Sequence, residues 1–401
     1  MPQPSMMAFE EALTALEKAS PCLVQPETIP LNQALNRVLA VDIMANINIP
    51  PADNSAMDGY ALRLSDRKEN TPLNVSQRIP AGSSPTELQE GTCARIFTGA
   101  IIPKGADTVI MQENTSIDHH GQVTFTQLPQ KGDNVRLAGQ DVKKGQCVLA
   151  KGTRLKPQHI GMLASLGVNQ LNCFKPLKVG ILTTGDELIS PEASSLELGQ
   201  IYNSNSLMLV SLVQELGHSV QQVLHAKDTT VDIETALKNL SRDCELILSS
   251  GGVSVGEEDH IKQVIEENGF LSLWKVAIKP GKPIVFGRVF NTHFIGLPGN
   301  PSSTLVTFHW FARTAILGHS GETFNRPKHF KVKTDLQRAK AIGRDEFLRA
   351  YLTDNNQAQP HAQQSSGALF ASCVTDGYLH IPAHRTIDTD QTYDFYPFSS
   401  F

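Results

Sequence analysis

Three stretches place glycine, hydroxyl and acidic residues just past apolar, strand-forming runs. KVGILTTGDEL (178–188) carries Thr183, Thr184, Gly185, Asp186 and Glu187, and ILSSGGVSVGEEDH (247–260) carries Ser250, Gly251 and Gly252. FIGLPGNPSS (294–303) carries Pro298, Gly299, Asn300 and Pro301. In the last of these, Asn300 suits a helix cap and Pro301 the first helical turn, so the free N–H groups of a helix N-terminus are expected to face the strand ends. Such an end binds phosphate or another oxyanion without a basic residue.

Acids in the same stretches point the other way. Glu257, Glu258 and Asp259 fall where a helix should begin, and carboxylates there offset the helix dipole by about 0.3 to 1 kcal/mol each. Glu187, Asp228 and Asp259 around an anion pocket would have raised pKa values unless a cation lay between them. A hard divalent ion, Mg²⁺, takes carboxylate oxygens on one side and phosphate oxygens on the other. His260 reads as an ordinary helix residue.

Basic residues supply the other half of such a site. KVAIKPGKP (275–283) puts Lys275 and Lys279 on a strand and its end, with Lys282 beyond, and alternation would set the first two on one face. GRDEFLRA adds Arg344 and Arg349. The plain alternative is two surface lysines lying along apolar surface. Glycine-rich strand-to-helix turns are also common for tight-turn reasons alone. GGVSVG lacks the G-x-G-x-x-G spacing, and PGKP lacks the Ser/Thr and upstream Gly of a Walker A loop. The convergence is more specific: three anion-ready loops at strand ends of one sheet are expected to border one pocket.

The elements that must position these groups follow from the pattern. With 401 residues, the chain exceeds one ordinary core and is expected to hold several domains. Residues 8–19 predict a helix with Phe9, Leu13 and Leu16 on one face, and PLNQALNRVLA (30–40) carries another helical pattern. From 51 to 136, β-branched runs such as CARIFTG and GADTVIMQEN between Gly/Pro punctuation predict a small β-rich module. PQHIGMLASLG (157–167) opens on proline and closes on glycine, a short helix. From 177 to about 320, strand candidates LKVGILTT, HSVQQVLHA, CELILSS, LWKVAI, PIVFGRVF and THFIGL alternate with helices near 204–216, 230–241, 257–268 and 301–317. That alternation predicts βαβ units on a largely parallel sheet. After Pro327, short β patterns (HFKVKTDL, EFLRAYLT, YLHIPA) predict a final barrel or sandwich.

Composition narrows the class. Hydrophobic content of 40% with 19% charged residues is that of a soluble globular protein. A formal charge of -5 with scattered basic residues does not indicate a nucleic-acid surface. Six isolated cysteines form no C-x-x-C pair and no zinc spacing, so free buried thiols in a reducing compartment are expected. No apolar run approaches the roughly 18 to 20 residues of a membrane span, and the N-terminus carries no secretory pattern, so a cytoplasmic protein is expected.

Taken in order, PADNSAMDGYAL, RIFTGAIIPKGADTVIMQE, VRLAGQDVKKG, GILTTGDEL, GQIYNSNSLML, SSGGVSVGEEDH, VAIKPGKP, GLPGNPSS and EFLRA span nearly the whole chain. Together they resemble the molybdopterin molybdenumtransferase (MoeA) family, which includes the gephyrin E domain. The resemblance implies a transferase of molybdenum cofactor biosynthesis that inserts molybdate into adenylylated molybdopterin and releases AMP in a Mg²⁺-dependent step. It implies a homodimer with a shared active site, with the molybdopterin adenylyltransferase as a further partner. It also implies a multidomain α/β plus β fold: an elongated dimerisation domain (1–50 and 137–176), an inserted β-rich domain (51–136), a molybdopterin-binding α/β domain with a parallel-rich sheet (177–326) and a C-terminal β-barrel (327–401).

Carried over by motif, Asp58, Thr98, Glu187, Asp228 and Asp259 are the catalytic positions, the last three of them metal-binding. Asp58 and Thr98 are expected to reach the partner's pocket. Asp141, Thr184, Gly185, Ser250, Gly251, Gly252, Lys275, Lys279 and residues 298–301 fall at substrate-binding positions, and Lys275, Lys279, Arg349 and Ser366 at molybdate-binding ones. Cleaving a phosphoric anhydride is mainly positioning and charge stabilisation, which such a set supplies. No Ser or Cys stands beside a histidine as a nucleophile, so no covalent intermediate is expected. Two rival functions are a molybdopterin adenylyltransferase of the same pathway and a gephyrin-like scaffold. The inserted region, the DNSAMDG loop and the β-rich C-terminus favour the insertase.

Overall fold

The computed structural model describes residues 6–67, 71–126, 129–252 and 260–401. A first helix, α1 (Phe9–Lys18), buries Phe9, Ala12, Leu13 and Leu16. Strand β1 (Pro26–Pro30) follows. The helical pattern of 30–40 does not become a helix: it holds only a single turn, Leu31–Gln33. Asn36 there has φ 64°, outside the helical region, and residues 36–39 exchange backbone hydrogen bonds with 152–155. Long-range pairing thus overrides the local pattern, burying Ala34, Val38, Leu39 and Ala40 and leaving Leu35 half exposed.

The β-rich insertion forms around strands β2 (Gly59–Leu62), β3 (Asn74–Ile79), β4 (Thr92–Ile96) and β5 (Thr108–Met111), in the order β3-β4-β2-β5. The chain then returns through α2 (Pro157–Ser165) to β6 (Gln170–Phe174), which pairs antiparallel with β1.

The region from 178 to 319 is a three-layer α/β unit. Its elements are β7 (Lys178–Thr184), α3 (Ser204–Glu215), β8 (Ser219–Ala226), α4 (Thr230–Asp243), β9 (Leu246–Ser250), α5 (His260–Asn268) and β10 (Gly269–Lys275). A short strand β11 (Ile278–Lys279) precedes β12 (Pro283–Val289), β13 (Thr292–Leu297), α6 (Pro301–Thr307) and α7 (Arg313–His319). The six-stranded sheet runs β8-β7-β9-β13-β12-β10. Its first four strands are mutually parallel, and β12 and β10 add antiparallel. Period-two alternation covers both faces. Val179, Ile181, Leu246 and Leu248 join α1, α3 and α7 in one core, while Leu182 and Ile247 join α4 and α5 in the other. The long helix expected over 301–317 is divided, because Phe308–Ala312 between α6 and α7 is a π-helical turn.

Strands β14 (Phe330–Thr334), β15 (Asp345–Leu352), β16 (Gln357–Pro360), β17 (Gly377–Ile381) and β18 (Tyr393–Pro397) close into a barrel in the order β15-β16-β14-β18-β17, with β17 pairing back to β15. Strand β11 adds to its edge, parallel to β15, and joins barrel to α/β unit through backbone hydrogen bonds. Lys275 and Lys279 therefore do not share one strand face: Lys275 ends β10 opposite Pro283, and Lys279 lies in the other sheet. The chain turns at Val276 and Ala277 to change sheets, which sequence alternation cannot register.

All six cysteines are unpaired. Cys93, Cys173 and Cys244 are buried as expected, whereas Cys22, Cys147 and Cys373 are exposed. No helix among the described residues is long and apolar enough to cross a membrane.

Candidate active site

A cleft of about 820 Å³ opens at the carboxyl ends of the parallel strands, between the α/β unit and the barrel. The three glycine-bearing strand ends all reach it, contributing Thr184 and Gly185, then Ser250, Gly251 and Gly252, then residues 298–301. Carboxyl-end crevices of such sheets are where ligands bind. Backbone conformation calls for glycine at three of these positions, Gly185, Gly251 and Gly252, all at positive φ. Gly185 has φ 133°, and a Cβ on it would sit 2.6 Å from Glu187 Oε2. Gly252 has φ 66°, and a Cβ would meet Ile261 Cδ1 at 2.4 Å. Positive φ favours glycine at both turns, and a methyl group there would have to displace the Glu187 carboxylate or the Ile261 side chain.

Two asparagines of the GQIYNSNSLML stretch, Asn203 and Asn205, line the cleft as well. Asn203 caps α3 by accepting from Ser206 N–H at 3.1 Å and donates to Thr183 Oγ1 at 2.9 Å. Asn205, also buried, donates through Nδ2 to Ser250 Oγ (2.8 Å) and to the Gly299 carbonyl (2.7 Å), tying two strand ends together. The available signal was Asn203 placed as a cap before an apolar helix.

Charged groups line the walls: Glu187 and Asp228 among the acids, Lys279, Lys282 and Arg344 among the bases. Asp228 N–H points at Asp186 Oδ1 at 3.4 Å. Lys279 Nζ lies 3.1 Å from Oε1 of the fully buried Glu346, which also pairs with Arg338. Burial alone would push the Glu346 carboxyl up, but hydrogen bonds from Arg338 and Lys279 and their charges outweigh it and hold it below the ordinary value. Glu257, Glu258 and Asp259 lie outside the described residues. Helix α5 opens at His260.

The helix behind Asn300 differs from the expected row of free donors. Ser302 N–H donates to the Ser366 carbonyl at 2.9 Å, and Asn300 makes no side-chain cap. The barrel segment carrying Gln364, Ser365 and Ser366 thus docks on α6 and lines the cleft. Arg349 is buried beneath that segment and does not line the cleft. Its Nη2 donates to the carbonyls of Gln363 (3.3 Å) and Ser365 (3.1 Å), and the Gln364 side chain bonds its backbone on both sides. Burial pushes its guanidinium down, with Tyr378 opposing.

Asp58, Thr98, Asp141 and Lys275 do not line this cleft either. Asp58 Oδ1 accepts both the N–H (2.8 Å) and the hydroxyl (2.7 Å) of Thr98 in the β-rich region. Those two bonds, the backbone one first, hold its carboxyl below the usual range. Asp141 is exposed on a loop whose N–H reaches the Ile49 carbonyl. Among the described residues no three His, Cys, Asp or Glu side chains stand close enough to hold a metal. Glu187 and Asp228 nonetheless put two hard oxygen donors on one cleft, a set that suits Mg²⁺ because that ion takes one or two carboxylates and completes its shell with water and phosphate.

A doubly covered α/β sheet with its cleft at the strand ends, preceded by a β-rich insertion and completed by a barrel wall, defines a multidomain α/β protein of one particular type. The chain matches, in order, the MoeA N-terminal region (domain I and II) over residues 7–167, a family described as "Probable molybdopterin binding domain" over 180–318, and the MoeA C-terminal region (domain IV) over 331–398. It is 38% identical to the molybdopterin molybdenumtransferase of Haemophilus influenzae, over 98% of this chain and 99% of that one. It is 36% identical to molybdopterin molybdenumtransferase 2 of Mycobacterium tuberculosis, over 82% of this chain and 84% of that one. The solved molybdopterin biosynthesis moeA protein of Pyrococcus horikoshii OT3 superposes with a TM-score of 0.84 at 30% identity, covering 98% of this chain and 100% of that chain. The chain belongs to the MoeA family of molybdopterin molybdenumtransferases.

Proposed function

We propose that this protein inserts molybdate into adenylylated molybdopterin, releasing AMP and forming the molybdenum cofactor. The observation that carries this reading is the single cleft in which three glycine turns, two carboxylates and three basic residues meet. An organic phosphate and an oxyanion both need such surroundings. The inserted β-rich region and the barrel, matched along the chain, favour this activity over adenylylation of molybdopterin.

In the proposed site, backbone N–H groups of the glycine turns, of Gly299 and of Asn300 bind the phosphate of the substrate, Pro298 and Pro301 hold that turn in shape, and Thr184 and Ser250 frame the phosphate. Lys279, Lys282 and Arg344 draw the dianionic molybdate, whose place is bounded by Ser365 and Ser366. Arg349 acts from below, by shaping that segment. Glu187 and Asp228, with Asp259 as the third acid of the motif set, would hold Mg²⁺. Bound there, the ion would neutralise charge on the phosphoryl oxygens as the anhydride breaks. The residues of the chain itself orient the phosphate, exclude competing anions and fix the oxyanion beside it.

The working form in this reading is a cytoplasmic homodimer divided as expected from the sequence, with domain limits at 50, 136, 176 and 326. Asp58, Thr98 and Asp141 then complete the cleft of the partner subunit, which accounts for their distance from the lining of their own. Supplying the protein with adenylylated molybdopterin, molybdate and Mg²⁺ is expected to yield cofactor that activates a molybdenum-free apoenzyme. No activation would refute the reading.

A further inference from the structure

Lys279 and Glu346 are direct cross-strand neighbours in the short parallel pairing of β11 with β15. The lysine lines the cleft, whereas the carboxylate is fully buried in the barrel wall behind it. A buried carboxylate is costly unless paired, and this one is clasped by Lys279 on one side and Arg338 on the other. One ammonium proton of Lys279 serves Glu346, and the group has three to give. Backbone hydrogen bonds fix the register around the pair, among them Asp345 N–H to the Ala277 carbonyl at 2.8 Å. The ammonium is therefore anchored on one side, with its remaining protons available to the cleft.

We propose that Glu346 is a positioning residue for the reaction: it holds the Lys279 ammonium at the cleft wall in the place where the anionic substrate meets it. This inference rests on the reading of Lys279 as an anion contact. Without the carboxylate the lysine side chain, with its four rotatable bonds, loses a fixed aim and spends part of its charge in solvent. Arg338 holds the other side of the carboxylate, so Glu346 keeps its own position while Lys279 engages a ligand.

The test is a double-mutant cycle on the full-length protein, measuring AMP release from adenylylated molybdopterin with molybdate and Mg²⁺, beside thermal unfolding. Glu346→Gln and the milder Glu346→Asp, which keeps the charge but withdraws it by one methylene, are each made alone and with Lys279→Ala. Glu346→Gln is expected to lower kcat/KM by about tenfold or more, and Glu346→Asp by several-fold, while in the Lys279→Ala background either change has less than about a twofold further effect. If the losses multiply in the double variants, or if a folded Glu346→Asp protein turns over normally, Glu346 does not act through Lys279. A Lys279→Ala protein with full activity would instead refute the reading of the site on which the inference depends. If Glu346→Gln does not fold, the Glu346→Asp cycle decides by the same criterion.

Discussion

Thr98 gives both its backbone N–H and its hydroxyl to one oxygen of Asp58, at 2.8 and 2.7 Å, across the turns that follow the Asn54–Ser55 strand and β4. The carboxylate is thereby fixed in direction, and its pKa is held below the ordinary value. Replacing Thr98 by Val removes the hydroxyl bond and leaves the backbone one, so the Asp58 pKa is expected to rise toward its ordinary value. A carbon-detected NMR titration of the Asp58 carboxyl reads this directly. Because the folded value is depressed, the stabilising effect is complete above the unfolded pKa and fades as pH falls through the folded one. An unchanged Asp58 titration in the variant contradicts the assignment.

Gly185→Ala places a methyl group 2.6 Å from the Glu187 carboxylate, on a backbone at φ 133°. The expected cost is about 1 to 3 kcal/mol, seen as a lowered Tm, together with loss of turnover because Glu187 must move. An alanine variant with normal Tm and turnover would show that the turn is not constrained by its surroundings.

Asn205→Ala withdraws the donor shared by Ser250 Oγ and the Gly299 carbonyl. A buried acceptor left alone costs about 1 to 3 kcal/mol. The larger effect is expected on turnover, since two of the three strand ends that line the cleft lose their tie. Unfolding and kinetics measured on one preparation separate the two effects, and a loss of stability with turnover unchanged would contradict a role at the cleft.

Four histidines, His218, His293, His309 and His319, are buried where burial favours the neutral ring. Burial, with nearby arginines, pushes His218 and His309 down to about 3, and burial with a smaller effect of neighbouring charge pushes His319 to about 4. Their folded values lie below the unfolded value of 6.5, so their contribution is complete above pH 6.5 and is lost as pH falls toward 4 to 3. Tm is therefore expected to fall steadily below pH 6.5, and His309→Gln to flatten the slope. A Tm independent of pH between 6.5 and 4.5 would contradict this.

Arg349→Lys is expected to behave like Arg349→Leu, each losing most turnover. Neither can span the Gln363 and Ser365 carbonyls as a planar guanidinium does. Full rescue by lysine, measured as kcat/KM, would place the importance of Arg349 in its charge alone.

Much of this was legible in the sequence because it rests on short-range rules. Apolar runs ending in GD, GG and PGN mark strand ends, and alternation with helical segments marks a parallel-rich sheet, so the convergence of Thr184, Ser250 and Gly299 could be expected. What was hidden depends on distant partners. PLNQALNRVLA keeps a helical pattern, yet Asn36 and Leu39 bond to residues 152–155 and the helix does not form. Lys275 and Lys279 look like strand mates until the chain changes sheets between them. Glu346 reads as one acid in a strand, and only the barrel shows it buried against Lys279. The docking of Ser366 on Ser302 joins residues more than sixty positions apart, beyond any local pattern.

The central claim is tested most directly by a single-turnover reaction of the purified protein with adenylylated molybdopterin, molybdate and Mg²⁺. One AMP is expected per active cofactor formed, with no ATP required, and the release should be largely lost in Glu187→Ala while its Tm is retained. Consumption of ATP with adenylylated molybdopterin as the product, or undiminished AMP release from Glu187→Ala, would contradict the account.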